Sequence, residues 1–171
     1  RFEEHMERLW QHSAAAGVWA REIARLRRRN VEGAFVAGLL HDIGEPVLLQ
    51  AVAQFEWREK MEFADHDIFP LIKELHPLVG GVLVNRWGLA DWMADAIEWH
   101  HMPDAAPRHE EEAMTTCLAD ELAHWAIEGS ADETSGLRAL PLLEELNIYP
   151  EELDQLLAAR ECVLAITEDW A

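Results

Sequence analysis

The sequence predicts an all-α domain, and three observations support this. Apolar and small residues recur every three or four positions along most of the chain, which is the period of an α-helix. No alternating strand pattern or hairpin signal lies between the helical segments, and the connections are short. With 171 residues, half of them hydrophobic, the chain is long enough to bury one sizeable core. We therefore expect a multi-helix bundle with a C-terminal helical pair.

The first part of the chain predicts three helices. One face of small and apolar residues predicts a long first helix over residues 2–29. Asn30 is suited to cap a second helix with the sequence "VEGAFVAGLLHD", which Gly44 is expected to close. Pro46 fits the first turn of a third helix, because the first turn tolerates a residue without an N–H group.

The remaining chain predicts five more helices. Asp67 and Asp91 are suited to cap the fourth and fifth helices, and Gly88 is expected to end the fourth. The last three predicted helices lie at 110–128, 137–146 and 150–169.

A short polar stretch divides the predicted helices into two groups. Residues 130–136, "SADETSG", are the one candidate linker, between a helical core at 1–129 and the C-terminal helical pair at 137–171. The chain begins inside a predicted helix without an initiator Met. We therefore expect it to be a piece of a longer protein.

Composition limits the partners of the chain. Asp and Glu number 33 against 14 Lys and Arg, and the net charge of −19 opposes binding to nucleic acid or an anionic membrane. No run of uncharged apolar residues approaches a membrane span, and no leader pattern is present. The two cysteines, Cys117 and Cys162, form neither a disulfide framework nor a thiolate metal motif. We expect a cytoplasmic protein.

Seven histidine and aspartate side chains interrupt the apolar helix faces or end the helices. They are His12, His41, Asp42, His76, His100, His101 and Asp120. Imidazole and carboxylate ligands together suit iron, manganese, nickel or zinc, and helix bundles build two-metal sites by directing such groups inward. Adjacent helical residues point about 100° apart, so His41 and Asp42 can share a site only where their helix ends. The set predicts a centre for one or two divalent metal ions.

Other interpretations of these residues stay open. Each of the seven, taken alone, also fits a hydrogen-bonded polar residue of the core, and the set could form a metal-free polar network in an interaction scaffold. His124 lies one turn after Asp120 and could reach the same centre, but we expect it to be structural or exposed. The remaining histidines, His5, His66 and His109, are expected at the surface.

Several of these segments resemble a known family. The segments "GAFVAGLLHDIG" and "HPLVGGVLVNRWGLADWMADAIEWHH" resemble the HDOD domain, the HD-related output domain of bacterial signalling proteins, within the HD superfamily of metal-dependent phosphohydrolases. The segment "LWQHSAAAG" resembles the part that precedes them in that family. The resemblance covers about residues 2–129. HDOD domains carry a further N-terminal helical portion, so the resemblance implies that this chain is the C-terminal, HD-like part.

The resemblance also implies roles for the seven residues. By analogy with HD phosphohydrolases, the ligands of one ion are His12, His41, Asp42 and Asp120. In the two-metal members the intervening histidines bind a second ion, and by the same analogy these correspond to His76, His100 and His101. The same resemblance makes Asp42 the bridging ligand, and it makes Asp42 and His41 the catalytic residues if the domain is active.

Two departures from the family patterns bear on activity. Glu45 stands where many catalytic relatives have a lysine after "HDIG", and a carboxylate there repels a phosphate. The segment "HHMPDAAPRHEEE" lacks the Gly-Tyr-Pro motif of the cyclic-dinucleotide phosphodiesterases. The resemblance therefore favours a regulatory domain with a protein partner in a signalling pathway. The alternative is a metal-dependent phosphohydrolase that acts on a nucleotide or another phosphate ester.

Overall fold

The computed structural model describes residues 1–130 and 134–168, and it confirms the all-α prediction, with no strand in the described part of the chain. A short 3₁₀ turn, Pro103–Ala105, follows the fifth helix. The helices are α1 Glu3–Leu26, α2 Val31–Leu40, α3 Gly44–Glu59, α4 Asp65–Arg86, α5 Asp91–Glu98, α6 Glu110–Glu128, α7 Ser135–Arg138, α8 Leu142–Glu145, α9 Pro150–Ala158 and α10 Arg160–Glu168.

The main core forms around α1 and α6. Trp19 and Ile23 of α1 pack with Leu118 and Leu122 of α6, and none of the four exposes any surface. Helix α1 also packs along α2, while α4 packs against α3 and α5. This arrangement lets α1, α4 and α6 converge on the turns that follow α2 and α5.

Glycines bring α1 and α2 into close contact. A Cβ atom on Gly38 of α2 would lie 2.7 Å from the carbonyl oxygen of Ala16, and one on Gly17 of α1 would lie 3.1 Å from that of Phe35. Only residues without a side chain allow the two backbones to approach so closely. The crossing brings the C-terminal end of α2, and therefore His41, beside α1.

The turn after α2 differs from the prediction. Helix α2 ends at Leu40, and the pair His41 and Asp42 lies in the turn before α3, which confirms that the helix ends at the His-Asp pair. The prediction that Gly44 closes α2 was wrong, because Gly44 is the first residue of α3. A Cβ atom at that position would lie 2.1 Å from the carbonyl oxygen of His76. Close packing against α4 therefore requires the glycine.

The predicted helix ends are confirmed at two positions and wrong at two others. The side chain of Asn30 accepts a hydrogen bond from the backbone N–H of Gly33, and Gly88 adopts a left-handed conformation with φ of 73° after α4. Asp67 and Asp91 are not N-caps, since α4 follows Ala64 and α5 follows Ala90. Both aspartates lie in the first helical turn instead, where the helix dipole favours negative charge.

The two predicted C-terminal helices are each divided. Pro141 follows α7, and a proline disfavours helical structure in the residue before it, which accounts for the break before α8. Nothing in the sequence explains the break at Ala159. Leu146, Leu153 and Val163 pack into the same cluster as α1 and α6. Residues 131–133 of the predicted linker and 169–171 lie outside the described residues, and the proposed domain division stays a prediction.

One stretch, Val31–Glu59, is long and apolar enough to cross a membrane when only length and composition are considered. The sequence analysis had found no such run. The structure divides the stretch into α2 and α3, and the turn between them carries the buried side chains of His41 and Asp42. We interpret the two helices as parts of the bundle.

Candidate metal centre

The structure brings all seven predicted residues together where α1, α4 and α6 meet the turns after α2 and α5. Six of the seven are buried, and the seventh, His101, has a side chain that is 39% exposed. They form two groups of ligand atoms that share one carboxylate. The assignment of these atoms as metal ligands stays a prediction.

The first group joins α1, α6 and the turn after α2. The Nε2 atom of His12 lies 3.2 Å from Nε2 of His41 and 2.9 Å from Oδ1 of Asp120. The Nε2 atom of His41 lies 3.2 Å from Oδ2 of Asp42. An ion with bonds of about 2.1 Å holds neighbouring ligand atoms about 3.0 to 3.4 Å apart in octahedral or tetrahedral geometry. These four atoms therefore have the spacing of a metal coordination shell.

The second group joins α4 and the turn after α5. The Nε2 atom of His76 lies 3.1 Å from Oδ1 of Asp42 and 3.2 Å from Nε2 of His101. The Nε2 atom of His100 lies 3.7 Å from the same Asp42 oxygen. Asp42 thus presents Oδ2 to the first group and Oδ1 to the second, which is the placement of a carboxylate that bridges two ions.

Backbone carbonyls fix the orientation of three of the rings. Each of these histidines donates from Nδ1 to a carbonyl oxygen three or four residues earlier in the chain. The pairs are His41 to Gly38 at 2.7 Å, His76 to Ile72 at 3.1 Å and His100 to Ile97 at 2.6 Å. A carbonyl only accepts hydrogen bonds, so Nδ1 carries a hydrogen, and whenever the ring is neutral its Nε2 lone pair faces the centre. Metal-binding histidines are held in the same manner.

One nitrogen atom of the centre has no hydrogen-bond partner among the described residues. The Nε2 atom of His100 is buried and has no hydrogen-bond partner within residues 1–130 and 134–168. Burial and the neighbouring charge of His41 lower the pKa of His100 to about 3, so its ring is neutral and Nε2 is an acceptor without a donor. Such an atom is costly in a protein interior. A metal ion satisfies it, and the donor set as a whole therefore fits divalent ions.

Charge is concentrated at the shared carboxylate. Burial favours the neutral form of His41, but the carboxylates of Asp42 and Asp120 outweigh it and hold the pKa of His41 well above its usual value. Burial likewise favours the neutral form of Asp42, but the charge of His41 holds the pKa of Asp42 well below its usual value. The pKa of Asp120 is lowered in the same way by hydrogen bonds from His12 and His41. Without an ion, a proton on His41 balances part of this negative charge.

Metal binding is expected to release protons at neutral pH. The pKa of His41 is raised, so its ring is protonated near pH 7 and must lose that proton to bind an ion, whereas Asp42 and Asp120 are already ionised. We expect about one proton or more per chain when zinc is titrated into metal-free protein in a weakly buffered indicator solution. Release should shrink as the pH is raised through the pKa of His41. Zinc binding without proton release would contradict this charge assignment.

Three further residues lie near the centre, although the sequence analysis did not assign them to it. They are His5, Glu45 and His124. His5 was expected at the surface, but its side chain is only 26% exposed and its Nε2 lies 3.0 Å from Oε2 of Glu45. His124 is half exposed, as expected, and its Nε2 lies 3.3 Å from Oδ1 of Asp120. Glu45 lies one helical turn after Asp42, and that spacing could have placed it beside the centre.

An open cleft reaches the centre. Its volume is about 350 Å³. Five of the predicted ligands line it, namely His12, Asp42, His76, His101 and Asp120. Its other polar and aromatic lining includes His5, Arg8, Glu45, Phe69, Lys73, His124 and Glu128. A small molecule can therefore approach the ligand atoms from solvent.

This fold and site define the class of HD-like helical domains, in which a bundle directs histidines and aspartates to one centre. The family model of the HDOD domain matches residues 1–103, and the chain belongs to that family. Six of the seven predicted ligands lie within the matched range. Asp120 lies outside it, and its Oδ1 lies 2.9 Å from Nε2 of His12.

Solved structures share the fold. The chain is similar to a protein from Shewanella amazonensis SB2B, provisionally named as a phosphohydrolase, with a TM-score of 0.68 and 21% identity over 95% of this chain. It is similar to an HDOD domain protein of unknown function from Geobacter sulfurreducens, with a TM-score of 0.67 and 23% identity over 94% of this chain. It is also similar to the MmoQ response regulator of Methylococcus capsulatus, with a TM-score of 0.65 and 25% identity over 90% of this chain.

The relatives are longer than this chain. The matches cover 61 to 63% of the solved chains. A curated but uncharacterized protein of Treponema pallidum is 22% identical over 122 residues, which are 67% of this chain and 24% of that protein. The chain therefore spans about three fifths of the solved structures and about a quarter of the curated relative.

Proposed function

We propose that this chain is a regulatory domain of a bacterial signalling pathway in the cytoplasm, and that its centre holds two divalent metal ions. The observation that carries the proposal is the position of Asp42, whose two carboxylate oxygens face two separate groups of histidine nitrogens at 3.1 and 3.2 Å. The fixed orientation of three imidazole rings and the unpaired Nε2 atom of His100 support it. The regulatory part of the proposal is supported by membership of the HDOD family and implies a protein partner.

A second function is favoured by the cleft. The cleft opens onto ligand atoms of both groups, and Arg8 and Lys73 in its lining offer positive charge to an anionic ligand. When bound, divalent ions polarise phosphoryl oxygens and lower the pKa of water in the site. The residues of the chain would orient a phosphate ester in the cleft. This candidate is a phosphohydrolase that acts on a nucleotide or another phosphate ester.

Elemental analysis of protein purified without chelator tests the metal centre. We expect about two ions of iron, manganese, nickel or zinc per chain, and fewer in His100→Gln, since the Nε2 atom of His100 lies 3.7 Å from Oδ1 of Asp42 and among ligand atoms of both groups. His66→Gln is the matched control, because His66 is 83% exposed and does not line the cleft. It should keep both ions. Folded wild-type protein without metal, even after reconstitution, would refute the proposal.

Turnover by the metal-loaded protein separates the two functions. The regulatory proposal expects no hydrolysis of p-nitrophenyl phosphate or of a nucleotide series above the rate of the free metal in buffer. Hydrolysis that Asp42→Asn abolishes would establish the phosphohydrolase instead. Both functions use the same centre, so the metal content of each sample is measured beside its turnover.

A further inference from the structure

We propose that the cleft binds a small phosphate ester that carries a primary amine, and that Glu45 binds the ammonium group. The inference rests on the proposed function, because it places the phosphate at the metal centre. It adds the chemical class of the ligand, and it makes Glu45 a residue that binds the ligand. The carboxylate of Glu45 repels a simple phosphate, but it would favour a phosphate ester that carries an ammonium group close to the phosphate.

One oxygen of Glu45 is free to accept a hydrogen bond from a ligand. The Oε2 atom is paired with Nε2 of His5 at 3.0 Å. The Oε1 atom lies 4.0 Å from Nδ1 of His76, which is beyond hydrogen-bond distance, and that N–H group already donates to Ile72. Within the described residues, only His5 bonds to the side chain of Glu45. Glu45 is 16% exposed and lines the cleft, so a ligand in the cleft can reach it.

The surroundings of Glu45 suit an ammonium group. His5 packs against the ring of Phe69, with the two ring centroids 4.9 Å apart, and all three side chains line the same cleft. The charge of the carboxylate attracts a small cation, and an aromatic ring in the lining of the same cleft is compatible with one. The hydrogen bond between His5 and Glu45 also holds the carboxylate at this position.

The distance between the two sites limits the length of the ligand. Oε1 of Glu45 lies 4.0 Å from Nδ1 of His76. A carboxylate oxygen of Glu45 also lies within 4.8 Å of an oxygen of Asp42 and a ring nitrogen of His76. Glu45 is therefore next to the second group of ligand atoms. A ligand that places a phosphate at this group and an ammonium group at Glu45 must be short, with two or three carbon atoms between them.

The test compares two phosphonates that differ only in the amine. These are 3-aminopropylphosphonate and propylphosphonate, whose carbon–phosphorus bonds resist hydrolysis, and binding to zinc-loaded protein is measured by calorimetry. We expect the amine to tighten binding by about tenfold or more in the wild-type protein, since a hydrogen bond to a charged group is among the stronger ones. Glu45→Gln should reduce this ratio to about one while the metal content stays at the wild-type level. Glu128→Gln is the matched control, because Glu128 also lines the cleft but is 73% exposed, and it should keep the ratio.

Each outcome separates this inference from the proposed function. Equal binding of the two phosphonates by wild-type protein would overturn the amine site and leave the metal centre intact. A ratio that survives in Glu45→Gln would overturn the role of Glu45. Metal-loaded protein that binds neither compound would overturn the whole inference, again without affecting the metal content. Absence of metal would refute the proposed function itself, and the inference with it.

Discussion

Asp42→Asn is expected to remove both metal ions from the protein. The substitution keeps the shape of the side chain but removes the negative charge that faces both groups, and an amide cannot bridge two cations through two anionic oxygens. Loss of hydrogen-bonded residues around metal ligands already lowers metal affinity 10- to 100-fold, so the loss of a shared ligand should cost more than about 100-fold. Elemental analysis should find a metal content near zero. Added zinc should raise the thermal midpoint of the wild-type protein but not that of the variant.

Asp95→Asn is the control for this experiment. Asp95 is also a buried carboxylate, but it lies on α5 near Arg108, with 3.4 Å between Oδ2 and Nε of the arginine. It should keep the full metal content, which separates loss of a ligand from loss of any buried charge. A metal content in Asp42→Asn equal to that of the wild type would contradict the bridging role.

Gly44→Ala is expected to destabilise the fold and weaken the second group of ligands. The added Cβ atom would lie 2.1 Å from the carbonyl oxygen of His76, so α3 and α4 must separate. Overpacking of this kind costs about 1 to 3 kcal/mol, although alanine is the better helix former. For a domain of this size, each kcal/mol lowers the thermal midpoint by about 2 to 4 °C. Because His76 must move with α4, its ion should also bind more weakly.

Gly136→Ala is the matched control for the glycine experiment. Gly136 lies in α7, and a Cβ atom there meets nothing within 4 Å. The change should be neutral or stabilise the protein by about 0.4 to 1 kcal/mol, through the lower entropy of the unfolded chain. Chemical denaturation of both variants measures the difference. A Gly44→Ala protein as stable as Gly136→Ala would refute the close contact between α3 and α4.

Local features of the sequence were enough to predict most of the helices. The apolar period predicted the sixth helix at 110–128, as observed, and the asparagine cap of α2 was read from one side chain. The aspartates at 67 and 91 were misassigned as caps because a polar residue is also favoured inside the first turn. The role of Gly44 could not be predicted, since it depends on a carbonyl group of α4 that lies 32 residues away in sequence.

In the candidate site, too, local features could be predicted from the sequence, whereas contacts between distant segments could not. The seven residues were found because each is a polar side chain on an apolar face or at a helix end, which one sequence can reveal. The hydrogen bond between His5 and Glu45 was missed, because it joins α1 to the first turn of α3 and neither residue is unusual in its own segment. The separate facing of the two Asp42 oxygens depends on a turn geometry that periodicity does not encode.

The carbonyl groups that hold His41, His76 and His100 have a consequence for the proposed regulatory function. Each belongs to the helix that carries or directly precedes its histidine, so these rings keep their orientation whether or not an ion is present. A ligand shifts a conformational equilibrium only through different affinities for the two states. An ion in a prearranged shell has little such difference, so an ion at this centre would be a constitutive part of the domain and a poor allosteric effector. In the proposed regulatory function, the population shift would then come from an occupant of the cleft or from a protein that contacts its rim.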